Sequence, residues 1–164
     1  LVSYDEENYM EEETVQKLIS NAYTARLNSY SPYSKYPVGA ALLCADGSIY
    51  TGCNVENAAY SPGNCAERTA VFKAVSEGKR EFTAIAIVGG NSLTSPCGVC
   101  RQVLREFVNP EEFKVIMTAY DEKAAECLCQ VKDKTQAAGI EKSDYKIMTL
   151  SELLPVSFGP DNLA

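Results

Sequence analysis

Apolar residues recur along this chain in two rhythms, one spaced for helices and one for buried strands. In EETVQKLISNAYTARLNSY, Val15, Leu18, Ile19, Ala22 and Tyr23 fall three and four apart, the spacing of one buried helix face. The polar, proline-broken SYSPYSKYPVG cannot continue that helix. AALLCADGSIYTGCN follows as two apolar runs joined by Asp46-Gly47, a strong hairpin signal. VENAAYSPGN reads as loop, and CAERTAVFKAVSEG as a helix closed by Gly78. FTAIAIVGG is nearly uninterrupted in its apolar character, which predicts a strand covered on both faces. Beyond the loop NSLTSP, Val99, Val103, Leu104 and Phe107 stand at helical intervals in CGVCRQVLREF. EFKVIMTAY is another buried strand, and DEKAAECLCQVKDKTQAAG a polar surface helix with a thin stripe of Ala124, Leu128 and Val131. YKIMTL is a last short strand before SELLP and the tail VSFGPDNLA.

Strands that alternate with helices after an opening hairpin predict an α/β fold, a three-layer α/β/α sandwich with a mixed central sheet. No repeat, linker or low-complexity tract interrupts the order. Residues 1–164 are therefore read as a single domain, in keeping with the length.

Charge narrows the partners. A net charge of -7 argues against nucleic acid held through its phosphates, which needs clustered Lys and Arg to displace counterions. A small neutral ligand suits this surface better. No segment approaches the roughly 20 apolar residues of a membrane span. The acidic N-terminal stretch LVSYDEENYMEEETV lacks the apolar centre of a signal peptide, so a reducing cytoplasm is expected, with nuclear residence also open to a eukaryotic protein. There, seven cysteines read as metal ligands or core residues rather than as disulfides. The chain has no histidine, which removes imidazole acid–base catalysis and every His-containing zinc site. Carboxylates and cysteines must carry any chemistry.

Two short motifs supply them. Cys65 opens one predicted helix in NCAERTAVFKAV, and Cys97 and Cys100 open another in SPCGVC. Two helix N-termini beside one sheet can gather three thiolates, and three protein ligands leave the fourth position of tetrahedral zinc open. Three thiolates give the site a net charge of about -1, which helix N-termini offset with about half a positive charge each. Arg68 is the natural further compensator. Glu67 stands two residues from Cys65, about 200° away around a long helix, yet at a helix tip both can reach a ligand lying off its end. A carboxylate there is the best-placed acid–base group in the chain. Cys44 and Cys53 in the hairpin, and Cys127 and Cys129 in the surface helix, read as core filler or incidental thiols.

CAER followed by PCGVCRQVL resembles the zinc-dependent cytidine deaminase family, in its small three-cysteine form. The likeness extends to SPYSKYPVGAALLCADGSIYTGCNVENAAY, similar to that family's substrate segment, and to ELLPVSFGPDNL, similar to its C-terminal tail. The resemblance implies that Cys65, Cys97 and Cys100 hold about one zinc per chain and that Glu67 shuttles protons. It implies that Asn54 and Glu56 hold the ribose hydroxyls of a nucleoside, and that Ala66 lies against the substrate. Tyr36 takes the place where the family often has Phe, beside the pyrimidine ring, and its hydroxyl is a departure. Phe158 matches an aromatic that enters a neighbouring subunit's active site, and Arg68 would bond to the zinc thiolates. A homotetramer with shared sites is implied, as is hydrolytic deamination of cytidine and deoxycytidine to uridine and deoxyuridine, a step of pyrimidine salvage. The segment from about 121 to 144 departs from the compact family pattern and reads as an inserted helix.

Plainer readings stand beside these. Glu67 could merely complement a helix N-terminus, Asn54 could serve a turn, and Glu56 could be a solvated loop acid. Tyr36 and Phe158 could be packing, and Arg68 a surface residue. Three other functions also stay open: an aminohydrolase for a cytosine-containing nucleoside antibiotic, a non-catalytic zinc module, and an editing deaminase of polynucleotides. The charge and the Asn54-x-Glu56 pair disfavour the last.

Overall fold

The computed structural model describes residues 10–130 and 144–163. The chain begins with helix α1 (Glu12–Arg26) and then the hairpin strands β1 (Gly39–Cys44) and β2 (Ile49–Cys53). Helix α2 (Ala66–Ser76), strand β3 (Phe82–Val88), helix α3 (Gly98–Arg105) and strand β4 (Lys114–Thr118) follow. Helix α4 (Glu122–Gln130), strand β5 (Tyr145–Thr149) and the short helix α5 (Leu150–Leu153) complete the order. The hairpin turns at Asp46-Gly47 as its dipeptide requires, with Gly47 at φ +84° and the Asp46 carboxylate accepting from Ser48.

The strands form one sheet in the order β2-β1-β3-β4-β5. Only β3 and β4 run parallel, and β5 returns antiparallel to β4. Alternation of strand and helix could not settle that last direction, because a connecting helix need not cross the sheet. The expected three layers are present. Along each strand, successive residues point to opposite faces. Ala40, Leu42, Ile85, Ile87, Val115 and Met117 pack under α2 and α3, whereas Ala41, Ala84, Ala86, Val88 and Ile116 pack under α1. Val15, Leu18, Ile19, Ala22 and Tyr23 form the buried face of α1, as their spacing predicts.

Small residues set how closely the layers approach. A Cβ at Gly52 of β2 would lie 2.4 Å from the Ala66 carbonyl oxygen and 2.5 Å from the Ala70 nitrogen. Only glycine lets the first turn of α2 rest directly on the hairpin. Among the described residues no helix is long and apolar enough to cross a membrane. Ala124 packs on the α1 side of the sheet, while Val131 and the side chains of Leu128, Cys127 and Cys129 lie outside the described residues.

Candidate metal centre and substrate cradle

Cys65 and Cys97 occupy the N-cap positions of α2 and α3, both with extended backbone and neither side chain capping its helix. Their sulfurs instead project off the two helix ends. Cys100, in the first turn of α3, is fully buried beside them. The three Sγ atoms lie within 4.8 Å of one another, with Cys65–Cys97 at 3.9 Å and Cys97–Cys100 at 3.4 Å. Sulfurs bound about 2.3 Å from one tetrahedral zinc stand about 3.8 Å apart, so the cluster has the spacing the metal needs.

The surroundings favour thiolate at Cys65. Arg68 Nη2 donates to Cys65 Sγ at 3.4 Å, the role expected of a charge compensator. A hydrogen bond from Cys100, reinforced by Arg68, holds the Cys65 thiol down at about 5, while the bond to that thiolate, together with burial, pushes the Cys100 thiol up. Glu67 is 4% exposed, and burial lifts its carboxyl to about 7, with the Cys65 charge adding to the effect. A solvated helix-end complement would not be so buried.

The loops around this tip are knitted together. Val55 and Asn64 exchange backbone hydrogen bonds at 2.9 Å, placing the substrate-like segment immediately before Cys65. Asn54 stitches that segment inward: its Oδ1 accepts from Ser29 and from the Val38 N–H, and its Nδ2 donates to the Tyr36 carbonyl. An amide nitrogen carries two hydrogens, so one donor remains for a ligand. Glu56 accepts from the Tyr33 and Ser34 backbone N–H groups at 2.9 and 3.2 Å, and hydrogen bonding, from Ser34 above all, keeps its carboxyl below the usual range. It borders a cavity of about 440 Å³ shared with Tyr33, Ser34, Asn57, Tyr60 and Gly63.

The other expected site residues lie as follows. Ala66, the first residue of α2, is fully buried in the core. Tyr36 is partly exposed, its hydroxyl bonded to the loop between β3 and α3. Phe158 projects from the tail at 59% exposure, away from its own chain's thiols in sequence and unpaired with any described ring. Cys53 donates to the Asn28 carbonyl and Cys44 is buried, both outside the metal cluster.

Sequence reading missed a set of polar residues on α3. Arg101 donates to the Pro96 carbonyl at 2.7 Å, to Ser95 Oγ at 2.8 Å and to the Leu153 carbonyl at 2.6 Å. Gln102 donates to the Phe158 carbonyl, and the nearly buried Arg105 reaches Ser157 and Asp161. The helix that carries two cysteines thus also clamps the tail that carries Phe158. Their position in CRQVLR, directly following Cys100, was the available signal. What it lacked was a partner, since the tail lies more than fifty residues away.

Comparison with known proteins bears on the same features. The family model for the cytidine and deoxycytidylate deaminase zinc-binding region matches residues 12–127. A cytidine deaminase of Sporosarcina psychrophila is 46% identical over 151 residues, covering 92% of this chain and 95% of that protein. One from Halalkalibacterium halodurans is 42% identical, covering 90% of this chain and 96% of that protein. The crystal structure of cytidine deaminase from Burkholderia pseudomallei superposes with a TM-score of 0.71 at 39% identity, covering 91% of this chain and all of that one.

Proposed function

This chain belongs to the cytidine and deoxycytidylate deaminase zinc-binding family, and we propose that it hydrolyses cytidine and deoxycytidine to uridine and deoxyuridine, releasing ammonia. The observation that carries this reading is the convergence of three cysteine sulfurs at two helix tips beside a buried carboxylate. Cys65, Cys97 and Cys100 hold one zinc per chain. Bound zinc supplies Lewis acidity and makes water a competent nucleophile at neutral pH.

The chain's own groups do the rest. Glu67, enclosed at the tip of α2, takes a proton from the attacking water and delivers it to ring nitrogen N3. It then takes the remaining proton from the new C4 hydroxyl and passes it to the exocyclic amine, so that the C4–N4 bond breaks, ammonia leaves and the C4–O bond becomes the carbonyl. A proton moved by a fixed group is typically worth about 10²–10⁴-fold in rate. Arg68 offsets the thiolate charge, and Asn54 and Glu56 orient the ribose. The backbone at Ala66 and the ring of Tyr36 border the base. Phe158, held outward by the clamp on α3, completes the site of a neighbouring subunit in a homotetramer. Residues 1–164 act as one cytoplasmic catalytic domain; of the segment from about 121 to 144 read as an insertion, α4 spans Glu122–Gln130 and residues 131–143 lie outside the described ones.

Substituting Glu67→Gln tests the reading. Turnover of cytidine should fall by about 10²–10⁴-fold with zinc content and fold unchanged. A wild-type protein that binds zinc yet releases no ammonia from cytidine would overturn it.

A further inference from the structure

The hydroxyl of Tyr36 is the one feature of the substrate segment that the resemblance leaves without a role, and it sits in a directed chain of hydrogen bonds. The Gly90 N–H donates to it at 3.0 Å. Its own proton faces Thr94 Oγ1 at 3.3 Å, and Thr94 Oγ1 donates onward to the Ser92 carbonyl at 3.3 Å. The ring edge rests on bare backbone. A Cβ at Gly89 would stand 2.9 Å from the Tyr36 hydroxyl, and one at Gly90 would stand 2.8 Å from its Cε2. Arg26 braces the same junction from α1, its Nε donating to the carbonyls of Pro37 at 3.1 Å and Gly89 at 2.8 Å. Thr94 lies three residues before Cys97, and Arg101 holds the intervening Ser95 and Pro96.

We propose that the Tyr36 hydroxyl is a positioning group that locks its own ring and the Gly89–Thr94 loop into one unit, presetting the exposed ring for the nucleoside base. A phenylalanine would pack equally well but leave the Gly90 N–H and Thr94 without this partner. Because the ring is ordered before the ligand arrives, the benefit is shared by ground and transition states. It therefore appears in KM rather than in kcat. The role of the ring rests on the deaminase reading above, but the lock itself does not.

The test compares wild type, Tyr36→Phe, Thr94→Val and the double variant as zinc-loaded proteins. Loss of one such hydrogen bond should raise KM for cytidine about 2- to 10-fold, with kcat, zinc content and Tm held near wild type. The double variant should be no worse than Tyr36→Phe alone, because one chain is broken once. Amide hydrogen exchange at Gly90 should quicken in Tyr36→Phe, a readout that needs no turnover. Unchanged exchange at Gly90, an unchanged KM, or effects that multiply in the double variant would each overturn the proposal, as would kcat, zinc and Tm falling together. If wild type proves inactive on cytidine, the functional reading fails while exchange at Gly90 still decides the lock.

Discussion

The open end of the hairpin meets a helix on each face of the sheet, and the two helices arrive with opposite polarity. At Gly39 an added Cβ would lie 2.0 Å from the Ala22 carbonyl and 2.5 Å from the Arg26 nitrogen, so α1 arrives with its C-terminal turn. At Gly52, paired beside Ala40 on the next strand, α2 arrives with its N-terminal turn. A helix end carries about half a charge, positive at the N-terminus and negative at the C-terminus. The α2 side accordingly collects anions, the Cys65 thiolate and the Glu67 carboxyl. The α1 side collects a cation, Arg26, which donates to two loop carbonyls and lies 3.7 Å from the centre of the Tyr120 ring. Both faces pack too closely for any side chain at these positions. Helix direction decides which face can bind a divalent cation through thiolates.

Substitutions on the two faces should separate chemistry from scaffold. The largest contrast is expected from Cys65→Ala, which should lose bound zinc and reduce turnover to background while leaving the fold in place, as metal analysis and circular dichroism would register. Leu18→Ala, in the fully buried face of α1, should do the reverse. It should cost about 2–5 kcal/mol of stability in denaturant unfolding, with zinc content and kcat of the folded protein unaltered. A zinc deficit in that variant would break the division between the faces.

Alanine at the two glycines sharpens the comparison. Gly39→Ala and Gly52→Ala should each destabilise by about 1–3 kcal/mol or more through overpacking. Only Gly52→Ala should also weaken zinc in chelator competition, because it displaces the turn that bears Glu67 and Arg68. The smallest effect belongs to the far end of the hairpin, where Asp46 pairs with Lys79. That lysine, then Ser48, holds the Asp46 carboxyl below its ordinary range. A carboxyl depressed in the folded state stabilises at pH values above its unfolded range and loses that contribution as the pH falls through its folded value. Asp46→Asn should therefore lower Tm slightly at neutral pH, with the difference shrinking in acid and in high salt, and with no change in KM.

The cysteine cluster was legible because Cys65 opens one helix and Cys97 and Cys100 open another, so local spacing alone carried the pattern. The place of Glu67 in the first turn of α2 was legible for the same reason. The hairpin, both buried strands and the α1 face followed from dipeptide chemistry and periodicity. The direction of β5 was not, since it depends on where a connection lies rather than on its rhythm. Nor could spacing reveal that Asn54 uses most of its amide to stitch residues 29 to 38 together, or that Arg101, Gln102 and Arg105 hold the tail. Those bonds join residues remote in the chain, and a polar side chain announces its capacity to bond but not its partner.

The sequence by itself determined the elements, the ligand set and the placement of the cysteines at helix starts, because all of these depend on neighbours within a turn or two. Tertiary structure alone decided that two separate helix tips stand a few ångströms apart, that Glu67 is enclosed rather than solvated, and that Tyr36 reaches the loop leading to Cys97. Each of these depends on how closely the layers approach. That closeness is set by glycine and alanine contacts between residues that have no proximity until the sheet forms.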